Sequence, residues 1–287
     1  MATILVGYDV ESAAVGEGLA RFLGPEVPQY LPALEPDSCA SGLDILSRIH
    51  TDVGVPGTFF LCGRTLLHSF DAVAAAHSTG LFDIQQHTYS HLPFKDIYYS
   101  PQPGVEAVIA ASPPVALREE LAFTSRLIQE HFGHEVVGLR TPFGYHRGLR
   151  DRPDLLAILR ETGIRYVTSW GRNEQNENPS PWETQPFAYE EEGYGDVLEI
   201  PFQFWLDAIW FDHHGWDNGA GFLEALKGAV DHVVANDLVY GVCFHDWVMV
   251  AANEERTGWV RGFLAYAKER VEVTTYTDYW RRVTSGS

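Results

Sequence analysis

His87-Thr88-Tyr89-Ser90-His91 follows directly on a short apolar run. Two imidazoles four residues apart fall on one face where such a stretch takes a helical turn, so both can reach one cation. In a chain with 12 histidines this spacing also arises by chance, and its weight comes from its company. Asp9 and Glu11 end the first apolar run, Arg140-Thr141-Pro142-Phe143 lies further on, and His245 closes a late run, Val242-Cys243-Phe244. Imidazoles joined by a carboxylate leave a coordination position open, as a hydrolytic metal site needs. Together these residues read as a metal-assisted hydrolase.

The elements that must position them alternate. β-rich apolar runs at 4–8, 57–61, 82–86, 136–140, 165–169, 197–201, 240–244 and 271–274 predict strands. Amphipathic patterns at 42–51, 66–77, 116–132, 153–162, 221–235 and 254–268 predict helices between several of them. Such alternation means a parallel sheet with helices outside it, and seven or eight strands suggest closure into a barrel. Residues 98–114, with four prolines, and the polar stretch 173–194 break the pattern and read as loops over the sheet. No composition break marks a second domain, so residues 1–287 are expected to form one catalytic domain.

In strand-helix proteins the ligand face lies where the C-terminal strand ends meet the loops. Asp9, Glu11, His87, His91, Arg140 and His245 all fall at such ends, where stability alone would favour apolar side chains. Residues two apart on a strand share a face, so Asp9 and Glu11 can both point into the site while Val10 packs.

Composition excludes several function classes. With 39 acidic and 20 basic residues the formal charge is −19, which argues against nucleic acid and against an anionic membrane surface. Acidity of this kind ordinarily serves solubility. Cys39, Cys62 and Cys243 are odd in number and far apart, with no disulfide framework, so a reducing, cytoplasmic setting is expected. The first residues lack a basic leader and are too briefly apolar to span a bilayer. Neither a dinucleotide fingerprint nor a phosphate-binding loop motif is present.

The order of an acidic pair, H-T-x-x-H, R-x-P-F and a strand-terminal histidine resembles the polysaccharide deacetylase superfamily, that is, the nodulation-factor deacetylase homology domain of carbohydrate esterase family four. The resemblance runs from about Ile4 to about Asp246 and includes Thr58-Phe59-Phe60, which is similar to the family's second-strand A-T-F-F. It implies a distorted, partly open (β/α) barrel and hydrolysis of an amide or ester at a divalent metal, zinc by expectation. His87 and His91 match the metal-binding imidazoles. Many members carry adjacent aspartates where this chain has Asp9-Val10-Glu11, and a subset reads D-V-D or D-V-E. Asp9 is thereby assigned as general base and Glu11 as metal carboxylate, although the two roles can be exchanged on this pattern. A Glu11 that fell short of the ion would make the chain resemble metal-free members that open cyclic amides, an allantoinase-like or cyclic-imide hydrolase.

Arg140 matches the arginine that pairs with the base, and the alternative is a plain barrel brace. His245 matches the histidine that protonates the leaving group, and the aspartate that orients it is taken as Asp207 in preference to Asp246. The resemblance further implies an oxyanion held by the metal and a backbone N–H at or near Tyr145. Tyr145, Trp170, Trp205 and Trp210 are candidate walls of the substrate pocket, while Asp212, His213 and His214 are read as loop residues. The substrate class expected is an N-acetylated sugar, an oligosaccharide or a small amide, and relatives with pockets at subunit contacts admit a homo-oligomer. A catalytically silent member that only binds a ligand is the rival from another class, against which the base-acid pair argues.

Overall fold

The computed structural model describes residues 1–15, 37–102 and 105–285. β1 (Thr3–Val10) is buried from end to end, as a strand covered on both faces must be. Its two faces differ. Ile4, Val6, Tyr8 and Val10 join the large core beneath the helices, whereas Leu5 joins a second cluster with Phe60, Tyr166 and Tyr276. Gly7 and Asp9 continue the register of Leu5.

β1 pairs in parallel with β10 (Val239–His245), which sets Asp9 opposite His245. Its other edge is shared between β2 (Gly57–Leu61) and β11 (Glu272–Thr274). From β2 the parallel sheet continues through β3 (Phe82–Gln86), β6 (Gly138–Tyr145), β7 (Tyr166–Trp170) and β9 (Tyr194–Glu199). β8 (Phe187–Tyr189) adds an antiparallel edge. Residues 98–114, expected as a loop, instead contain most of an antiparallel ribbon of β4 (Ile97–Gln102) and β5 (Val105–Ile109). Pro101 falls in its register shift between Tyr99 and Gln102, where proline removes no ladder hydrogen bond.

Helices α1 (Ser38–Val53), α2 (Gly63–His68), α3 (Phe70–Ser78), α4 (Pro114–Phe132) and α5 (Pro153–Glu161) precede β7. α6 (Asp207–His214), α7 (Gly219–Asn236), α8 (Asp246–Ala251), α9 (Glu254–Thr257), α10 (Trp259–Lys268) and α11 (Tyr276–Ser285) follow. The predicted helix at 66–77 is divided at Ser69, and the one at 254–268 at Gly258, whose φ of 65° lies in the left-handed region open to glycine.

The sheet is a distorted, partly open (β/α) barrel. Its seam lies between the edge strand β8 and β10, where no strand pairing is formed among the described residues. The chain leaving β9 crosses the gap instead: Phe202 N donates to Trp170 O at 3.0 Å and Gln203 N to Gly241 O at 3.1 Å. Glutamine side chains fill the rest. Gln203 Oε1 accepts from Gly241 N at 2.8 Å, and Gln185 both accepts from Val239 N at 2.8 Å and donates to Val239 O at 3.2 Å. Among the described residues no helix is long and apolar enough to cross a membrane. Cys39, Cys62 and Cys243 are buried and free of disulfides.

Candidate active site

Asp9 and Glu11 leave the end of β1, His87 follows β3, Arg140 stands within β6 and His245 ends β10, so all meet at the C-terminal end of the barrel. Glu11 Oε2 lies 3.0 Å from His87 Nε2 and 3.0 Å from His91 Nε2. The His87 Nδ1 proton is committed to the Arg140 carbonyl at 2.8 Å. In a neutral ring, Nε2 then presents a lone pair that can share a cation with the carboxylate. In the protonated ring, which burial opposes but Asp9 and Glu11 favour, it donates to Glu11 instead. One oxygen and two nitrogens in a buried cluster are a donor set suited to a divalent transition metal. Burial would raise the Glu11 carboxyl, but His91, His87 and His245 hold it well below the usual range. The neighbouring group of Asp9, Cys243 and His245 is a poorer cage, since burial keeps the Cys243 thiol protonated.

His87 and His91 do not meet through a helical turn. Thr88 and His91 adopt left-handed backbone with φ of 64° and 63°, and the loop folds back to bring the rings to 5.0 Å between centroids. Phe143, across the site, shares this conformation at 61°. Three non-glycine residues in that region around one cavity are strain of the kind that functional sites hold.

Arg140 lies inside the barrel. Its guanidinium rests 4.5 Å from the Phe60 ring, 4.9 Å from Phe202 and 5.2 Å from Tyr276, while Nη2 donates to Tyr276 Oη at 2.8 Å and Val242 O at 3.2 Å. Nη1 stands 3.3 Å from Asp9 Oδ1. Gly7 makes this possible: a Cβ there would come within 2.8 Å of Arg140 Nη2. Burial opposes the charge, but Cys243, Tyr276 and Asp9 raise the guanidinium pKa above its ordinary value. Brace and ion pair are thus the same contact set.

His245 Nε2 faces Asp9 Oδ2 at 4.0 Å and Glu11 Oε1 at 3.9 Å. Its Nδ1 donates to Asp207 Oδ1 at 2.5 Å, and its backbone N–H donates to Asp207 Oδ2 at 2.9 Å. Burial would lower the imidazole pKa; Asp207 foremost, then Glu11 and Asp9, push it up to about 10. Asp246 turns the other way. It accepts from Ser12 Oγ and from Glu11 N at 3.3 Å, and so anchors the backbone that carries Glu11. This anchoring by Asp246 was not foreseen in the sequence, where its position after His245 was the available signal.

A cavity of about 220 Å³ opens on these groups. Its walls are Phe143, Phe202, Leu206, Ile209 and Trp247, with Arg172 and Asp212 among its polar lining. None of the four expected wall residues lines it. Tyr145 is buried, donating to Pro142 O and accepting from Phe94 N, each at 2.9 Å. Trp170 packs on His146 and Phe187, Trp205 on His213 and His214, and Trp210 stacks in the core between His214 and Phe222. Asp212, His213 and His214 are helical, in α6, rather than loop residues. Phe143 closes the R-x-P-F motif and Phe202 follows a predicted strand; Arg172 lies in a polar stretch without periodicity that offered no signal.

Strand ends of a (β/α) barrel that bring acids, imidazoles and an arginine to one cavity define a hydrolase-like site. Residues 35–167, which include His87, His91 and Arg140, match the family model for polysaccharide deacetylase. Over that segment, somewhat less than half of the chain, the sequence is similar to this family. No curated protein matches the sequence. Among solved structures, a Mycobacterium smegmatis protein assigned as a polysaccharide deacetylase is similar at 18% identity and TM-score 0.67, covering 99% of this chain and 90% of that one. Puue allantoinase aligns at 16% identity and TM-score 0.70, over 98% of this chain and 90% of its own. A Pseudomonas aeruginosa PAO1 protein, also assigned as a polysaccharide deacetylase, aligns at 17% and 0.68, over 98% and 91%. At these identities the structures share the fold.

Proposed function

We propose that the protein is a metal-dependent hydrolase of a carbon–nitrogen amide bond, removing the acetyl group from an N-acetylated sugar or small amide. The observation that carries this reading is the convergence of Glu11, His87 and His91 on one point beside Asp9 and His245. Those three residues would hold the ion, with zinc suited to the donor set, and a bound divalent metal supplies Lewis acidity and a more acidic water.

The chain's own residues do the rest. Asp9, paired with Arg140 at 3.3 Å, accepts the proton of the attacking water. The backbone N–H groups about Gly144, which lines the cavity, are placed to receive the developing oxyanion. His245, held by Asp207 through Nδ1, presents Nε2 to the departing nitrogen and gives it a proton, so that water adds across the bond and acid and amine leave. Three free, buried cysteines support a cytoplasmic setting.

The small cavity favours a second reading on the same residues, ring opening of a cyclic amide without metal. Elemental analysis of wild type beside His87→Ala separates the two. About one divalent ion per chain, lost in the variant together with amide hydrolysis, is the expected result. Full turnover by metal-free protein would exclude the metal-dependent reading, and metal binding without hydrolysis across a broad amide panel would mark a ligand-binding protein.

A further inference from the structure

Arg172 stands in the wall of the catalytic cavity, just past the end of β7. Among the described residues its guanidinium makes no hydrogen bond and no ion pair. Every other fully or mostly sequestered arginine near the site is engaged: Arg140 with Asp9, and Arg152 with Asp154 and Phe94 O. The backbone of Arg172 is fixed. Its carbonyl accepts from Trp170 Nε1 at 3.2 Å, and Gly171 N donates to Tyr145 O at 3.4 Å. Gly171 presses so closely on Phe202 that a Cβ would fall 1.8 Å from the ring, which ties this turn to a cavity wall. The side chain is thus delivered into the cavity by a firmly held turn.

An arginine half-buried in a cavity wall with no protein partner has its guanidinium donors left for a ligand. Burial does lower its pKa, with Cys243, Tyr145 and Glu177 opposing, yet a guanidinium keeps its proton in proteins. The rest of the lining sharpens the point. Asp9, Glu11 and Asp212 also line the cavity, and its lining cation His245 is committed to Asp207, which leaves Arg172 as a lining cation with no side-chain partner among the described residues. Phe143, Phe202, Leu206 and Ile209 supply apolar walls between.

We propose that Arg172 is a specificity residue that binds a carboxylate on the substrate, so that the preferred substrate is a small N-acyl amino acid with an apolar side chain rather than a neutral sugar. This rests on the amide-hydrolase reading and narrows its substrate class. The planar fork of the guanidinium suits a carboxylate in two-point contact. The apolar walls suit the side chain, and the cavity's 220 Å³ suits a single residue better than a polymer.

The test compares N-acetyl-phenylalanine with its neutral primary amide, using the metal-loaded wild type, Arg172→Gln and Arg172→Lys. Wild type should prefer the acid. Arg172→Gln should raise KM for the acid about 10- to 100-fold, the worth of a charge-assisted hydrogen bond, with kcat and the neutral amide little changed. Arg172→Lys should recover part of the loss. Equal effects on both compounds, or a wild type indifferent to the carboxylate, would overturn the assignment. Should neither compound be hydrolysed, calorimetric titration of the same pair separates the two ideas: acid binding lost in Arg172→Gln keeps the subsite without the reaction, and no discrimination removes it. Thermal melting guards against misfolding. The variant should melt no lower than wild type because no protein partner is lost, and a fall in Tm accompanied by loss on both compounds would make Arg172 a structural residue.

Discussion

Asp207 grips His245 at both its ring and its backbone, which makes it a positioning residue whose removal has a specific signature. The imidazole pKa is raised to about 10, so in the proposed role of general acid it would keep its proton through neutral pH and lose it only as pH climbs towards that value. Asp207→Asn withdraws the foremost raising influence. Its pH–rate profile should show the alkaline limb moved down by at least about one pH unit and kcat lowered about 100-fold. An unshifted limb would mean that another group supplies the proton. Asp9→Asn should lose turnover at least as severely while retaining the metal, which elemental analysis beside a rate assay would read. The groups with chemistry were legible in the sequence because acids, imidazoles and an arginine at strand ends have few structural reasons to be there. The aromatic walls were not. Trp205 and Trp210 share one aromatic run, but packing alone decides which ring meets a cavity, and here α6 turns Trp210 into the core and leaves Ile209 facing the cavity.

Elements whose pattern and burial agree were read closely: β2 and β3 coincide with the predicted runs at 57–61 and 82–86. α6 escaped because its eight residues mix apolar and polar side chains with no helical period to detect. α1 carries a buried histidine that makes a stability prediction. His50 Nδ1 donates to Val55 O and Nε2 accepts from Tyr8 Oη, both at 2.8 Å, an arrangement that needs the neutral ring. Burial lowers its pKa from 6.5 to about 4. A depressed histidine takes up its proton in the unfolded chain first, so its contribution is complete above pH 6.5 and declines as pH falls towards 4. Between pH 7.5 and pH 5 the loss should be about 2 kcal/mol. Urea melts at the two values should show that part of the slope vanishing in His50→Gln, and an identical slope in the variant would place the acid sensitivity elsewhere. The same helix touches the site from behind. A Cβ at Gly42 would lie 2.2 Å from the Asp246 carbonyl oxygen, and backbone cannot rotate aside. Gly42→Ala should therefore cost about 1–3 kcal/mol and, through Asp246, loosen the Glu11 anchor, read as weaker metal retention on dialysis.

At the scale of the molecule, the barrel is completed by side chains where strands run out. The sequence announced eight parallel runs but not their seam, because a long-range edge is set by which strands happen to meet and leaves no local pattern. Three glutamines mark the thin places. Gln85 Oε1 accepts from Val137 N and Gly138 N at 3.0 and 2.7 Å where β3 and β6 share a single pair, while Gln185 and Gln203 serve β10. A carboxamide offers one acceptor and a paired donor in a plane, so it can stand in for a neighbouring peptide group without a strand to carry it. Gln203→Leu keeps much of the volume and removes that function, leaving the Gly241 N–H without its acceptor at the barrel seam. A buried donor left unpaired costs about 1–3 kcal/mol. The loss should be local as well as global: hydrogen exchange at Gly241 should accelerate more than at Val242, whose side chain lies in the main core, because only the seam edge has been opened. β10 ends in His245, so the same variant should also lower kcat while the metal stays bound at Glu11, His87 and His91, on the far side of β1. Unchanged exchange at Gly241 would show that the seam is held by the crossing main chain alone, and that the glutamine adds nothing to closure.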